Sequence, residues 1–497
     1  MPIPGASSLS RRLLRASLPF AAGALLAGCV VGPRFHRPEP PPVASYAMAG
    51  DDANSGVMRA AIGEKVVGDW WTLFHSPALD SLIREAIAGS PTLAEARARL
   101  AQAHAAIAAE TGLVSADLHA GAQRERANLN AFSGGTFSDF SGIPGLPAFP
   151  TNPEFNLYTL SPSISYNTDI FGGVRRRREQ LKASEEAQAR ELDAAYLTLT
   201  GQVVQQALII ADANIQIRSL TDIAQSDKDD LAMVQRAFAA GGASKADLAG
   251  LESQLAQDQA AIPVQRQRLA MARHALAVLV GKPPASWTAP DFDETSAVLP
   301  EVLPVSLPSD LVRSRPDILE AEAKLHAATA EIGVATADLY PKITLSAMLS
   351  QDALTPQTLF SPTSTSWSVA GGLTTPIFHS GELHARKREA EDAARVALAQ
   401  YEVTVLQAFG QVADVLSAIA HDNDAYARQA SAMEAATARA AMMRKGYAVG
   451  GVTAQALLDA ERDAKRLRLD LAQKGTGRYV DAAELMYATA SVPPGAA

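Results

Sequence analysis

The residues that could do chemistry in this chain are few and scattered. Its 497 residues include one cysteine, Cys29, and nine dispersed histidines, of which His379 and His384 lie closest together. No cluster of carboxylates or thiols accompanies these histidines, so the sequence does not indicate a metal site. It also contains no glycine-rich phosphate loop, no nucleophile elbow and no pair of acids placed for acid–base catalysis. We therefore expect no enzyme, no catalytic residue and no metal or cofactor.

The single cysteine directly follows a segment with the features of a secretory leader. Arg11, Arg12 and Arg15 form a basic region, an apolar stretch over 18–26 follows, and two small residues precede Cys29. This order predicts a signal peptide over 1–28, too short to remain as a membrane span. The segment LAGC also resembles the bacterial lipobox, whose cysteine is lipidated, because several acyl chains hold a protein on a membrane where one would not. The alternative is a lone core cysteine that happens to end a leader.

Charge and hydropathy restrict the remaining possibilities. Removal of the leader takes away three arginines and no acids, so the formal charge falls from −9 to −12. Such an acidic chain is a poor candidate for nucleic-acid binding, which needs clustered lysines and arginines. We find no other run of about 18 apolar residues and expect no helix that crosses a bilayer.

Two long stretches contain almost no glycine or proline and predict long helices over 174–239 and 382–448. At 1.5 Å per residue, about 65 helical residues would reach roughly 100 Å. A short glycine break and a further predicted helix follow each stretch, over 244–280 and 453–489. Pro263 should kink the first of these later helices.

Four other stretches alternate between apolar and small polar residues with period two. They lie around 118–129, 163–168, 342–349 and 366–373, and the first is weak. Transmembrane β-strands need this alternation, but an ordinary half-buried sheet shows it equally well. The periodicity therefore leaves both interpretations open.

The chain is also an internal repeat. PTLAEARARL at 91–100 matches PDILEAEAKL at 316–325, and RAFAAGGASKADL at 236–248 matches KGYAVGGVTAQAL at 445–457. Each half is predicted to run helix, strand, loop, strand, long helix, glycine turn, helix. Four strands cannot close a barrel, and open edges are excluded in lipid, so transmembrane strands would have to be pooled between chains. Two chains would give eight strands and three would give twelve.

Several motifs together resemble a known family, the TolC-type outer-membrane efflux proteins, and in particular its lipoprotein branch that includes OprM, CusC and NodT-like members. The resemblance covers nearly the whole mature chain. The segments that carry it are LAGCVVGPRFHRPEP at 26–40, WWTLF at 70–74, DIFG at 169–172, PIF at 376–378 and, most specifically, the block at 307–347.

This resemblance implies an α+β membrane protein that works as a homotrimer in the outer membrane and extends into the periplasm. Three chains would build a twelve-stranded β-barrel, a twelve-helix α-barrel and a mixed equatorial belt. The family is the exit duct of a tripartite pump, with a periplasmic adaptor and an inner-membrane transporter of the RND type, and passes small molecules outward. Cys29 would carry N-palmitoyl and S-diacylglycerol groups, anchored in outer-membrane lipid.

The repeat and the resemblance predict six segments: a signal peptide at 1–28, a lipidated tether at 29–68, a first repeat at 69–282, an equatorial connector at 283–310, a second repeat at 311–490 and a tail at 491–497.

The two glycine turns are expected to be periplasmic tips at which the adaptor docks. Their glycines can close a helix with positive φ, and a serine or threonine can cap the next helix. The residues assigned to docking are Arg236, Gly241, Gly242, Ser244, Asp247, Leu248, Tyr447, Gly450, Gly451 and Thr453.

The family places a pore-facing acid near the second tip, and Asp459 stands at that position. Three copies would form an acidic ring that attracts cations and repels anions. The alternative is an exposed acid paired with Arg462. Some family members have a second aspartate where this chain has Ala456, and Leu457 or Leu458 could instead supply an apolar constriction.

The run of four arginines at 175–178 follows a predicted strand and opens a helix, where positive charge opposes the helix dipole. Contact with anionic headgroups would offset this repulsion, and a solvated charge run is the alternative. Two other functions remain open: the duct of a type I protein secretion system, and a periplasmic coiled-coil lipoprotein that is not a channel.

Overall fold

Long helices dominate the part of the chain that the structure describes. This computed structural model describes residues 30–43, 45–46, 48, 59–64, 66, 68–110, 112–126, 154–293 and 296–492. Its α-helices are α1 (Pro77–Gly89), α2 (Pro91–Ala109), α3 (Gly173–Ala239), α4 (Lys245–Leu279), α5 (Pro308–Ser314), α6 (Pro316–Ala337), α7 (Glu382–Ala448) and α8 (Ala454–Thr489). The two longest, α3 and α7, have 67 residues each and begin and end within one residue of the predicted bounds.

The helix boundaries follow the repeat seen in the sequence. Helices α2 and α6 both begin at a proline, Pro91 or Pro316. Proline suits the first helical position because its fixed φ is helical and its missing N–H would have no partner there. Helix α4 runs from Lys245 to Leu279 through Pro263.

Helices α3 and α7 each contain an 18-residue window with a mean hydropathy of 1.2 and 1.5, respectively. By length and composition alone, both helices could cross a membrane. This composition does not show that either helix crosses a membrane, so the expectation that no helix does so stays a prediction. In α3, 56% of the window is buried inside the protein, which is also the pattern of a core helix.

The strands form two sheets. The bounds are β1 (Arg59–Ile62), β2 (Val114–Arg126), β3 (Glu154–Asn167), β4 (Val302–Val305), β5 (Lys342–Ala353) and β6 (Thr365–Thr374). Four of them form an antiparallel sheet in the order β2-β3-β5-β6, and β1 pairs with β4 in parallel. The four predicted strands are confirmed, although β3 begins nine residues earlier than expected and β2 begins four residues earlier. The segment 127–153, which includes most of the first predicted loop, lies outside the described residues.

Contacts divide the chain into two units, and each combines segments of both sequence repeats. The first comprises the described parts of Met1–His36, His104–Ala183 and His326–Val396, and it contains the four-stranded sheet. The second comprises the described parts of Arg37–Ala103, Ser184–Leu325 and Ala397–Ala497, and it contains the main core. Trp70, Trp71 and Phe74 are buried in that core.

Segment 29–68 is more than a tether. Residues 30–43 form neither helix nor strand, which agrees with their many prolines. Further along, the Tyr46 hydroxyl donates to the Ser306 carbonyl over 2.8 Å, and strand β1 pairs with β4. The expected tether therefore contributes a strand to the second unit. Cys29 and the leader at 1–28 lie outside the described residues.

Candidate functional site

The four-stranded sheet has one apolar face and one small polar face. The register places Ile164 of β3 beside Ala116 of β2 and Ala347 of β5. In turn, Ala347 pairs with Val369 of β6. Residues two positions away lie on the same face. The large apolar side chains exposed on this face include Leu118, Ile164, Tyr166, Leu345, Leu349, Trp367, Val369 and Leu373.

The opposite face of the sheet carries hydroxyl groups that bond across strands. Ser115 and Ser165 lie 2.9 Å apart between their Oγ atoms, and the Ser161 and Ser350 Oγ atoms are also 2.9 Å apart. A sheet that exposes large apolar groups on one side and small polar groups on the other fits lipid outside and water inside. The agreement of all four strands in register is stronger evidence for a membrane-facing sheet than the alternation within any single strand.

Within the described residues, β2 and β6 are the edges of this sheet and have no further strand beside them. They are 13 and 10 residues long. Long, unprotected edges carry rows of unpaired N–H and C=O groups, which pair readily with another strand. Both edges of the described sheet are therefore available to pair with a further strand.

The two glycine turns at the ends of α3 and α7 have the same backbone. Gly241 and Gly450 have φ of +78° and +75°. Gly242 N–H donates to the Ala237 carbonyl and Gly451 N–H to the Gly446 carbonyl, each over 2.8 Å. These 6→1 bonds define a Schellman motif, which requires a left-handed residue and so favours glycine. No heavy atom lies within 4 Å of a Cβ built on Gly241 or Gly450, so both turns are open to a partner.

The residues after the turns cap the following helices. The Ser244 hydroxyl accepts from Asp247 N–H over 3.1 Å, and the Asp247 carboxylate accepts from Ser244 N–H over 2.8 Å, which forms a complete capping box at α4. These hydrogen bonds hold the pKa of Asp247 below its usual range. At α8, the Thr453 hydroxyl accepts from Ala456 N–H over 3.2 Å. The predicted capping roles are confirmed, whereas adaptor docking stays a prediction.

The other predicted tip residues divide between solvent and core. Arg236 is exposed and donates to the carbonyl of Ala232 within its own helix. Tyr447 is half-buried. Leu248 packs on a small cluster in which Leu458 is buried. The side chain of Leu248 therefore contributes to joining the hairpins as well as to the surface of the tip.

The three residues assigned to the constriction differ in exposure. Leu457 and Leu458 are each only 4% exposed, which favours a packing role over a pore lining. Asp459 is about half exposed at its side chain, accepts from Gln455 Nε2 over 2.9 Å and lies 3.7 Å from Arg462 Nη1. The pairing with Arg462 is thus present. Of these three residues, Asp459 is the one with an exposed side chain, and its carboxylate is available to line a pore.

Sequence reasoning missed an ionic link between the two hairpins. Lys465 Nζ of α8 lies 3.3 Å from an Asp227 carboxylate oxygen and 3.7 Å from one of Asp230, both on α3. Burial, and then a hydrogen bond with Asp258, raises the pKa of Asp227 to about 6. The spacing of Asp227 and Asp230, three residues apart on one helix, was the available signal.

A half-buried acid, Asp481, lies on α8. Burial is the main reason that the pKa of Asp481 rises to about 7, and the neighbouring carboxylates of Asp422 and Glu484 raise it further. Its buried Oδ2 has no hydrogen-bond partner among the described residues. Ionisation of Asp481 is therefore less favourable than ionisation of an exposed aspartate.

The segment between β3 and α3 contains an acid that offsets the positive charge of the four arginines at the helix start. Asp169 accepts from the backbone N–H groups of Val174 over 2.8 Å and Arg175 over 3.1 Å, and from Arg175 Nε over 3.1 Å. A carboxylate at this position satisfies unpaired helix donors and offsets the positive charge of the dipole. The run therefore does not need an external anion to stabilise the helix start.

Arg176 has a role that the sequence did not predict. Its side chain is buried, and it donates to the Val31 and Gly32 carbonyls, each over 3.0 Å, and to Glu179 over 2.8 Å. The interpretation of this run as uniformly solvated or headgroup-bound is wrong at Arg176. This residue binds the backbone of the N-terminal segment instead.

Two glycines allow that segment to dock. Gly32 has a φ of +89°, and a Cβ built on it would lie 2.5 Å from the Cα of Gly333 in α6. A Cβ on Gly333 would lie 2.7 Å from the Arg176 side chain. The sequence VGP therefore needs glycine for both conformation and contact. We name Val30–Gly32 with Arg176 and Gly333 the N-terminal clasp.

A sheet with a lipid-compatible face and open edges, joined to paired hairpins of very long helices, defines a subunit of an outer-membrane channel. The family model for outer membrane efflux proteins matches residues 82–282 and 307–491. The chain belongs to the outer membrane efflux protein family. The predicted family, the α+β fold with four strands per chain, the outer-membrane location and the efflux function are confirmed.

Individual relatives agree with this assignment. The chain is 30% identical over 430 residues to the pyoverdine export outer membrane protein OpmQ of Pseudomonas aeruginosa, covering 83% of this chain and 86% of the relative. It is 28% identical to the probable outer membrane lipoprotein SilC of Salmonella typhimurium, covering 88% and 90%. The solved structure of the outer-membrane channel OprN superposes with a TM-score of 0.81 at 26% identity, covering 93% of this chain and 99% of that one.

Proposed function

We propose that three copies of this chain form the exit duct of a tripartite efflux pump that passes small molecules from the periplasm to the exterior. The observation that carries this proposal is the two-sided, open-edged sheet formed by β2, β3, β5 and β6. Four strands cannot enclose a lumen, and unpaired edges are excluded from hydrocarbon. Three copies would give twelve strands, with β2 of one copy paired to β6 of the next.

The glycine turns support the second part of the proposal, which is a periplasmic adaptor at the tips. Both turns are exposed, share one backbone geometry and lie at the ends of long hairpins. An inner-membrane transporter of the RND type would supply the energy, since the duct has no energy source of its own. Asp459 would line the pore near these tips and contribute an acidic ring.

The third part of the proposal is that Cys29 carries the lipid anchor. The lipobox-like LAGC at 26–29 supports it, and a relative described as a probable outer membrane lipoprotein agrees with it. N-palmitoyl and S-diacylglycerol groups would together supply enough buried acyl chain for stable attachment. The mass of the purified N-terminal peptide tests this part by itself.

The sheet assignment is tested by two neighbouring substitutions on β5. Leu345→Arg places a charge on the apolar face, and Ser346→Arg places the same charge on the polar face of the same strand. An arginine on the lipid face of a barrel costs about 2–4 kcal/mol at the bilayer midplane. We expect Leu345→Arg to abolish the heat-modifiable trimer in the outer-membrane fraction, and Ser346→Arg to leave it intact and alter its conductance in planar bilayers. Equal tolerance of both variants would refute the lipid-facing assignment.

Adaptor docking is tested by site-specific cross-linking in cells. Lys245 is exposed beside the first turn, and Gln257 is exposed further along the same helix. Lys245→Cys should cross-link to a periplasmic adaptor, whereas Gln257→Cys should do so weakly. Stronger cross-linking from Gln257→Cys would place the adaptor on the side of the hairpin instead of at its tip.

A further inference from the structure

An open basic cavity lies beside the start of α3 in the first unit. Its volume is about 380 Å³, and it is lined by Arg175, Arg178, Glu179, Lys182 and His326. Three of these side chains are permanent cations at neutral pH, and one is an acid. A cavity of this composition attracts an anion.

The one acid in this cavity, Glu179, already has hydrogen-bond partners. Glu179 accepts from Arg176 Nη1 over 2.8 Å and lies 3.1 Å from His326 Nε2. By contrast, neither Arg178 nor Lys182 makes an ion pair or hydrogen bond among the described residues. These two cations are four residues apart on one helix face, where like charges repel. An anion between them would relieve that repulsion.

The N-terminal clasp holds the N-terminal segment against the start of α3, beside the cavity. Val31 N–H donates to the Phe171 carbonyl over 3.2 Å, and a Cβ on Gly172 would lie 3.0 Å from the Cα of Val30. Val30 is therefore held against Gly172, the residue immediately before α3. The proposed lipid-bearing cysteine is the residue before Val30 in the sequence, so its acyl chains must enter the bilayer close to this joint.

The helix dimensions agree with a headgroup site. Residues 175–182 of α3 span about 10 Å at 1.5 Å per residue. The interfacial layer on each side of a bilayer is roughly 5–8 Å thick, and long cationic side chains extend along their own stems to reach it. Phe35 of the N-terminal segment stacks on His326 with ring centroids 4.4 Å apart, so the docked segment helps to build the cavity.

The second repeat offers a contrast. Helix α7 also begins with basic residues, but Arg386 lies 2.6 Å from Glu382 and Lys387 lies 3.4 Å from Glu391. Those cations are neutralised within their own helix, whereas Arg178 and Lys182 are not. The difference favours a particular ligand at α3 over a general attraction to the membrane.

We propose that this cavity binds the phosphate of an anionic phospholipid, phosphatidylglycerol, in the leaflet that holds the N-terminal lipid anchor. Arg178 and Lys182 bind the phosphate, Arg175 flanks it, and the Phe35–His326 stack forms one wall. The inference rests on the proposed function only in requiring the first unit to be membrane-inserted with its N-terminus lipidated.

The test is lipid binding to the purified, full-length lipidated protein in detergent, followed by native mass spectrometry. Phosphatidylglycerol and the zwitterionic phosphatidylethanolamine are added separately to the wild type, to the Arg178→Ala/Lys182→Ala variant and to the matched Arg386→Ala/Lys387→Ala variant of α7. We expect at least tenfold weaker phosphatidylglycerol binding in the first variant, wild-type binding in the second, and weak phosphatidylethanolamine binding throughout.

Equal losses in both variants would overturn the site and indicate a diffuse basic belt. Equal binding of both lipids by the wild type would also overturn it. Displacement of bound lipid by 10 mM inorganic phosphate would assign the cavity to a free anion instead. Single-channel conductance of each variant is measured in parallel, so loss of the lipid site with normal conductance separates this inference from the proposed channel function.

Discussion

Replacement of Arg176 by alanine should release the N-terminal segment from α3. In the wild type Arg176 is 3% exposed, and its guanidinium donates to two backbone carbonyls, those of Val31 and Gly32. A hydrogen bond from a charged donor contributes about 1.5–3 kcal/mol. The loss of two such bonds should weaken docking by about 3 kcal/mol, or roughly a hundredfold in the ratio of docked to released segment.

Limited trypsin digestion measures this change directly. Arg34 is exposed, and the residue that follows it, Phe35, stacks on His326 when the segment is docked. Cleavage after Arg34 should therefore be slow in the wild type and much faster in Arg176→Ala, because a protease needs a released, extended chain. The rate is followed by the mass of the released N-terminal peptide from protein in detergent.

Two control variants separate the clasp from general effects. Arg386→Ala removes an exposed arginine at the start of α7, away from the clasp, and should leave the cleavage rate unchanged. Arg176→Lys keeps the positive charge but lacks the planar guanidinium that donates to two carbonyls at once. It should therefore give an intermediate cleavage rate. If Arg176→Ala is cleaved at the wild-type rate while its trimer remains heat-modifiable, the reasoning about the clasp is wrong.

Two further predictions concern acids in the helical hairpins. Asp459→Ala should raise single-channel conductance and reduce the preference for cations in planar bilayers, since an acidic ring would be lost; unchanged conductance and selectivity would reject the pore assignment. Asp481→Asn should raise the midpoint of thermal unfolding at pH 8 by the equivalent of about 1 kcal/mol, because it removes a half-buried charge. Since the pKa of Asp481 is raised to about 7, the wild type loses stability as pH rises from about 4 to 7, and the advantage of the variant should grow over that interval. A pH-independent advantage would exclude titration of Asp481 as its cause.

The sequence predicts the features of this chain that depend on local pattern. The near absence of glycine and proline over more than sixty residues predicts α3 and α7, and paired glycines followed by serine or threonine predict both turns. These signals are reliable because helix closure and capping are decided within a few residues. The alternation of strand β2 is weak because three residues on its apolar face, Ala116, Ala120 and Ala122, are alanines.

The remaining features depend on partners distant in sequence. Strand β1 has only four residues and exists through parallel pairing with β4, about 240 residues later. Arg176 is indistinguishable from its three neighbours in the run, and only helical phase directs it towards the N-terminal segment. Lys465 is one of many lysines and arginines until the hairpins bring it beside Asp227. Such residues are identified by three-dimensional contacts and not by local pattern.

The matched glycine turns have a consequence for stoichiometry. The two turns of one chain share their backbone hydrogen bonds, but the capping acid Asp247 of the first corresponds to Ala456 in the second. A threefold assembly would thus display six turns that are alike in backbone and of two kinds in side chain. A partner that binds main-chain groups could occupy all six turns, whereas a partner that binds the Asp247 carboxylate would occupy three. The copy number of the bound adaptor therefore reports which chemistry it recognises.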